Sequence, residues 1–186
     1  MTLRVLWCSD AIFSSSGYGV ETRLTVPRLV PHCEIATLAT FGLHGASIPW
    51  NGIKIYPGGA DPFANDVVKQ AALDWKADIV ITLKDTFVFN PQAFEGLRWC
   101  PLAPVDHEPA PPQVVERLRH AFRPIAYAPQ GFRALRAVGF DPLYCPHGFD
   151  PLVFHPEDKS AARKFLGLPN DIFIVGTVAV NRGGIP

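Results

Sequence analysis

The sequence predicts an α/β fold built on a doubly wound parallel sheet. Short apolar runs of strand length alternate with segments of helical period along most of the chain. The run at residues 79–83 is apolar almost throughout and directly follows an amphipathic helix, which is typical of parallel strands covered on both faces. The chain also holds 19 prolines, and many of them lie where apolar runs stop, so they punctuate loops.

The first strand is predicted over residues 3–8, and a loop containing Ser and Gly leads from it to a helix over residues 20–30. Pro27 removes one backbone donor from this helix, so the helix should kink or end early. The next predicted elements are a strand at 33–40, a loop at 41–52 and a strand at 53–56.

Apolar residues at helical spacing predict a helix from Val67 to Trp75, before the strand at 79–83. The alternation then repeats as a strand at 99–105, a helix at 111–122, a strand at 124–128, a helix at 131–138 and a strand at 142–145. Asp158 is the predicted N-cap of a helix that ends before Gly167. A last strand is predicted over 172–180, and the Gly-rich turn that follows it predicts the start of a further βα unit. Together these elements predict a Rossmann-like domain.

Composition limits the classes of function. The chain of 186 residues is 48% hydrophobic and 18% charged, which indicates a globular protein with one main core. Lys plus Arg and Asp plus Glu number 17 each, so charge gives no argument for binding nucleic acid or an anionic membrane. No apolar window has the length of a membrane span, and Asp10 comes too early for a signal peptide. We therefore expect a cytoplasmic protein.

The four cysteines are predicted to be reduced structural thiols. Cys8, Cys33, Cys100 and Cys145 form no C-x-x-C pair, and each lies in or beside an apolar run of strand length. A reduced cysteine in such a run behaves as a small hydrophobic residue. Neither the spacing nor the expected compartment favours a disulfide or zinc framework.

The loop after the first strand, read D-A-I-F-S-S-S-G-Y-G-V from residue 10 to residue 20, is the first candidate site. A strand that ends in such a loop and leads to a helix presents backbone N–H groups to an anion or to sugar hydroxyls. Ser16, Gly17, Tyr18 and Gly19 are the candidate binding residues, with glycine allowing close approach or positive φ. The loop lacks the third glycine of the dinucleotide fingerprint. An ordinary strand-to-helix connection explains these residues equally well.

Polar residues follow several of the predicted strands at the point where each strand ends. Ser9 and Asp10 follow the strand at 3–8, and Lys84 and Asp85 follow the strand at 79–83. Asp106, His107 and Glu108 follow the strand at 99–105, and His147 and Gly148 follow the strand at 142–145. Taken singly, such residues are typical of solvated loops. Because open α/β sheets bind ligands beyond the carboxyl ends of their strands, their convergence at one edge predicts a binding role.

Two kinds of chemistry are not favoured. Asp106, His107 and Glu108 are adjacent, so on an extended backbone their side chains point alternately away and cannot easily share a metal ion. A nucleophilic triad lacks its G-x-S-x-G serine, and Cys145 ends a run that is typical of a core strand.

The segment P-H-G-F-D-P-L-V-F-H-P at residues 146–156 resembles a motif of the retaining glycosyltransferases of family 4, P-x-G-V-D-x-x-x-F-x-P. Phe149 stands where valine is usual. The glycine loop and the Asp106-His107 pair support the resemblance. It implies a two-domain GT-B architecture, with an acceptor-side N-terminal domain at 1–150. A linker with a helix would then follow at 151–170, and the first strand of a donor-binding domain at 171–186.

In that family the N-terminal domain chiefly holds the acceptor, and the C-terminal domain binds the nucleotide sugar. The resemblance implies that Gly17 and Gly19 lie near the donor phosphates and the acceptor. It places His107 against the transferred sugar and His147 and Gly148 beside the interdomain cleft. No metal or cofactor is implied besides the nucleotide-sugar donor, and the acceptor is not identified. The paired glutamates and basic residues that hold the diphosphate belong to the second domain, so we expect this chain alone to be inactive.

Two other functions stay open at this point. One is a non-catalytic half-domain that recognises a sugar or nucleotide, or docks to a separate chain carrying the other half. The other is an epimerase of the same architecture, which would use cleft carboxylates such as Asp85, Asp106 and Glu108. The segment at 146–156 favours the glycosyltransferase.

Overall fold

A computed structural model describes residues 2–178 and has an α/β, Rossmann-like fold. Its strands are β1 (Arg4–Ser9), β2 (Glu34–Ala39), β3 (Ile48–Trp50), β4 (Ile53–Tyr56), β5 (Ile79–Leu83), β6 (Trp99–Ala103), β7 (Ile125–Ala126) and β8 (Leu143–Tyr144). Its α-helices are α1 (Gly17–Leu29), α2 (Val68–Trp75), α3 (Pro112–Leu118), α4 (Pro129–Ala137) and α5 (Lys159–Phe165). Two 3₁₀ turns, Thr86–Val88 and Pro91–Phe94, lie between β5 and β6.

The strands form one sheet in the order β3-β4-β2-β1-β5-β6-β7-β8. All neighbours are parallel except β3 and β4, so the prediction of a mostly parallel α/β sheet is confirmed. The chain moves outward from β1 to β2 and β4, then returns to β5 on the other side of β1. The direction of winding therefore changes between β1 and β5, which is where ligands bind in open α/β sheets. We call the edge formed by the carboxyl ends of the parallel strands the carboxyl edge.

Both faces of the sheet are covered, as the alternation along β1 shows. Leu6 and Cys8 are buried in the cluster that contains Val68 of α2. Val5 and Trp7 point the other way, into a cluster that contains Val26 of α1. A third cluster fills the space around α3 and α4 beside β6 and β7. Burial on both faces explains why these strands are nearly continuous apolar runs.

The structure adds a strand inside the loop predicted at 41–52. β3 pairs antiparallel with β4 through a two-residue turn, Asn51-Gly52, in which both residues have positive φ (47° and 82°). Such a turn matches the twist of the two strands, and Asn-Gly is its preferred sequence. The loop prediction was wrong at this point because the Asn-Gly signal was not used.

Helix α1 begins at Gly17 instead of Val20 because Ser16 caps it, accepting a hydrogen bond from the Gly19 N–H at 3.0 Å. The helix continues through Pro27 and ends at Leu29. At α5 the predicted cap is confirmed, since Asp158 accepts a hydrogen bond from the Ala161 N–H at 2.7 Å.

The chain divides between Phe149 and Asp150 into two compact units, the second of which contains α5. The strand predicted at 172–180 is not formed over 172–178, and the rest of it lies outside the described residues, as does the turn that follows. No strand pairs with this segment within residues 2–178, and Phe173 and Val175 are 90% and 84% exposed. A strand needs a hydrogen-bonded neighbour, so an apolar run alone does not form one. None of the helices within residues 2–178 is long and apolar enough to cross a membrane.

Candidate functional site

Asp10 is the centre of a buried polar cluster at the carboxyl edge. Its carboxylate, only 4% exposed, lies 2.6 Å from Lys84 Nζ, and Lys84 follows β5. The hydroxyl of Thr40, which follows β2, donates to Asp10 at 3.1 Å, and the Ser16 hydroxyl donates to it at 2.5 Å. A buried carboxylate needs its charge balanced and its lone pairs occupied by donors. The ends of β2 and β5 and the N-cap of α1 supply these partners. The predicted convergence is thus confirmed for Asp10 and Lys84.

Ser9 and the two loop glycines have packing roles at this point. The buried Ser9 hydroxyl donates to the Leu83 carbonyl at 3.1 Å and ties β1 to β5. A Cβ at Gly19 would lie 2.6 Å from the Ser14 carbonyl oxygen, so only glycine lets α1 approach the loop this closely. Gly17 is open, with nothing within 4 Å of an added Cβ. Neither glycine has positive φ. Close approach therefore explains Gly19, while Gly17 leaves its backbone accessible.

Tyr18 faces the ion pair from the first turn of α1. The Lys84 ammonium lies 4.8 Å from the centre of the Tyr18 ring. Burial, followed by the negative charge of Asp85 and smaller effects of Tyr127 and Asp10, raises the pKa of Tyr18 to about 12. The hydroxyl therefore stays protonated at neutral pH and can donate a hydrogen bond next to Asp85.

His147 lies at the same edge of the sheet. Its Nδ1 is 3.1 Å from Glu21 Oε1 on α1, and its ring centre is 4.2 Å from that of Tyr127, which follows β7. Gly148 lines a small groove with Glu21, and nothing lies within 4 Å of a Cβ added to it. The segment that begins the 146–156 motif is therefore held against α1.

A cavity of about 410 Å³ lies beside this cluster, and we call it the acidic cavity. It is lined by Asp85, Phe87, Pro104, Asp106, His107, Pro109, Pro111, Gln113 and Val114. His107 Nδ1 lies 2.6 Å from Asp106 Oδ1, and both side chains are largely exposed. This hydrogen bond lowers the pKa of Asp106. Asp85 joins the two regions, because it lines the cavity and its charge also acts on Tyr18.

The structure places the predicted site residues in three groups. Ser16, Gly17, Tyr18 and Gly19 belong to the Asp10 cluster, and Asp85, Asp106 and His107 line the cavity. The third group, His147 and Gly148, lies against α1. Glu108 is exposed and does not line the cavity.

Sequence reasoning missed five contributors, namely Thr40, Glu21, Phe87, Gln113 and Tyr127. Thr40 and Tyr127 were placed inside predicted strands, and shorter strands would have put them at the carboxyl edge. The others depend on helix phase and on turns that the apolar pattern does not reveal.

The predicted thiols are free at all four cysteines. Burial raises the pKa of Cys8, and also of Cys33 and Cys100. The expectation that Cys145 belongs to a core strand was wrong, since it is exposed. It follows β8, a two-residue strand whose Leu143 and Tyr144 are 43% and 48% exposed. Within residues 2–178, no three His, Cys, Asp or Glu side chains form a group that could hold a metal ion.

Comparison of the sequence with known protein families finds no match, and comparison with curated proteins finds none either.

Proposed function

We propose that this chain carries the acceptor side of a retaining, metal-independent glycosyltransferase of the GT-B type. The observation that carries the proposal is the position of His147. The motif segment that would border the interdomain cleft lies at the carboxyl edge, held by Glu21 and Tyr127. The Asp10 cluster lies at the same edge of the sheet, and the acidic cavity adjoins it. A polar crevice at the point where winding changes direction is the usual ligand site of such sheets.

In this proposal the polar groups bind sugars by hydrogen bonds. Carboxylates accept from hydroxyl groups, which suits Asp85 and Asp106 in the cavity. The protonated Tyr18 hydroxyl donates, and the open Gly17 backbone lets a ligand approach the start of α1. His107, exposed at the cavity wall, contacts the transferred sugar.

The departing diphosphate needs cations or helix N-termini directed at its developing charge. Lys84 does not suit this role, because Asp10 already neutralises it at 2.6 Å and its side chain is only 15% exposed. We therefore assign diphosphate binding to a C-terminal domain, and transfer requires that domain.

The test compares two proteins, the 186-residue chain and the same chain extended by a GT-B donor-binding domain. Each is assayed for nucleotide release and sugar transfer with a panel of nucleotide sugars and acceptors, with and without EDTA. We expect transfer with retained anomeric configuration by the extended protein alone, unaffected by EDTA. Turnover by the 186-residue chain alone would contradict the proposal that this chain carries only the acceptor side of the enzyme.

His107→Ala tests the site itself. In the extended protein this change should lower the transfer rate per folded molecule and leave the melting temperature nearly unchanged. The reason is that His107 is exposed and its loss leaves the core intact. His32→Ala is the matched control, since His32 is an exposed histidine before β2, at the opposite edge of the sheet. A lower melting temperature with an unchanged rate per folded molecule would make His107 structural.

A non-catalytic sugar-binding domain is the second candidate, because the acidic cavity is lined by residues 85–114 alone and needs no other domain. Saturable sugar binding without transfer by the extended protein would favour it. An epimerase is less favoured, since Glu108, one of its candidate carboxylates, lies outside the cavity.

A further inference from the structure

The lining of the acidic cavity combines the exposed Phe87 ring with two carboxylates. Phe87 is 52% exposed, so its ring is accessible to a ligand in the cavity. Asp85 and Asp106 contribute carboxylates, and Gln113 an amide. Among the lining residues, all within the described 2–178, there is no lysine or arginine.

This lining has consequences for the charge of a ligand. An ionised carboxylate only accepts hydrogen bonds, so its partner must bring donors such as hydroxyl or ammonium groups. The hydrogen bond from His107 lowers the pKa of Asp106, which favours its carboxylate form. An ionised phosphate also only accepts, so it is repelled by the two carboxylates. Only the Gln113 amide and His107, whose Nδ1 already contacts Asp106, are left to donate to it. The face of the Phe87 ring suits the apolar C–H face of a sugar or a cation.

We propose that the acidic cavity binds the acceptor as an unphosphorylated sugar, neutral or carrying an ammonium group, and excludes phosphorylated sugars. The proposal rests on the proposed function only in calling the ligand an acceptor. The selectivity itself follows from the lining of the cavity, so it is tested by binding without any donor.

The experiment titrates the purified 186-residue chain with glucose, glucosamine and glucose 6-phosphate, followed by NMR. Glucosamine should bind most tightly, and glucose 6-phosphate about tenfold or more weaker than glucose, the equivalent of one hydrogen bond to a charged group. Phe87→Ala should weaken the binding of glucose and of glucosamine by about two- to tenfold. Asp106→Asn should reduce the preference for glucosamine over glucose.

Glu116→Gln is the control for Asp106→Asn. It removes one exposed carboxylate from α3, the helix that also carries Gln113, but Glu116 does not line the cavity. The proposal is overturned if glucose 6-phosphate binds as tightly as glucose, or if no sugar binds saturably. It is also overturned if the control changes the preference as much as Asp106→Asn does. The titration contains no donor, so a failure of the sugar-transfer assay would not change the binding result. Transfer to a phosphorylated acceptor would overturn the selectivity proposed for the acidic cavity but not the proposed glycosyltransferase function.

Discussion

Gly17 and Gly19 lie in the same turn of α1, yet only Gly19 has no room for a side chain. An alanine Cβ at position 19 would lie 2.6 Å from the Ser14 carbonyl oxygen and 2.9 Å from the Ala11 carbonyl oxygen. Both are backbone atoms, so the loop or the helix must move to admit the methyl group. At position 17 the same methyl group would meet nothing within 4 Å. The pair is therefore a matched test of close packing in this loop.

Overpacking of this kind costs about 1–3 kcal/mol. Alanine regains up to about 1 kcal/mol over glycine inside a helix, and less in the first turn. We therefore expect Gly19→Ala to lower the free energy of unfolding by about 1–2 kcal/mol, or the melting temperature by roughly 2–8 °C for a domain of this size. Gly17→Ala should be between neutral and about 1 kcal/mol more stable, because it restricts the unfolded chain without strain.

Urea unfolding followed by circular dichroism measures both variants against the wild type, with the m-value checking that the same transition is compared. Equal stabilities of Gly19→Ala and the wild type would refute the reasoning. An equal loss in Gly17→Ala would refute it as well, because the cost would then come from the helix and not from contact with the loop.

Three further predictions concern charge. Lys84→Met leaves the buried Asp10 carboxylate without its cation, so it should lower the free energy of unfolding by about 3–5 kcal/mol, measured by urea unfolding. Tyr18 should ionise near pH 12, measured by phenolate absorbance. Since an unfolded tyrosine ionises near pH 10, the stability that Tyr18 contributes is complete below pH 10 and is lost as the pH rises toward 12. His107→Ala should raise the pKa of Asp106 toward its ordinary value, followed by carbon NMR of the carboxyl group.

Each of these predictions has a control within the chain. Lys54→Met breaks the exposed pair with Asp74 and should cost less than about 1 kcal/mol, so equal losses at Lys54 and Lys84 would contradict a special role of burial. Subtracting the titration of Tyr18→Phe isolates Tyr18 from the other tyrosines, and ionisation near pH 10 would contradict the expected shift. For Asp106 the control is His120→Ala, which should leave its titration unchanged.

Periodicity was sufficient to predict most of the fold. A segment with apolar side chains at helical spacing buries them best as a helix, and a short apolar run buries its side chains best as a strand. The bounds of α2, β4 and β5 were therefore predicted closely. The strand expected at 172–180 shows where this reasoning ends. The apolar side chains of Phe173 and Val175 indicate a preference for burial, but a strand also needs a neighbouring strand with which to form hydrogen bonds.

The site was predictable as a location but not as a set of contacts. Asp10 and Lys84 were both expected at the carboxyl edge, because each directly follows a strand. Their pairing depends on β5 lying next to β1, which is a property of strand order and is not encoded near either residue. Glu21 was missed for a similar reason, since its contact with His147 depends on which face of α1 the end of unit 1 approaches.

The outer position of β3 has a consequence for how molecules of this protein meet one another. Pro49 is the middle residue of this three-residue edge strand and pairs with Lys54 of β4. Proline has no N–H, so the free side of β3 offers an interrupted row of donors to any incoming strand. Short edge strands with proline resist the addition of further strands. The hairpin thus closes this side of the sheet against pairing between copies of the chain, and protects a strongly apolar sheet from aggregation at that edge.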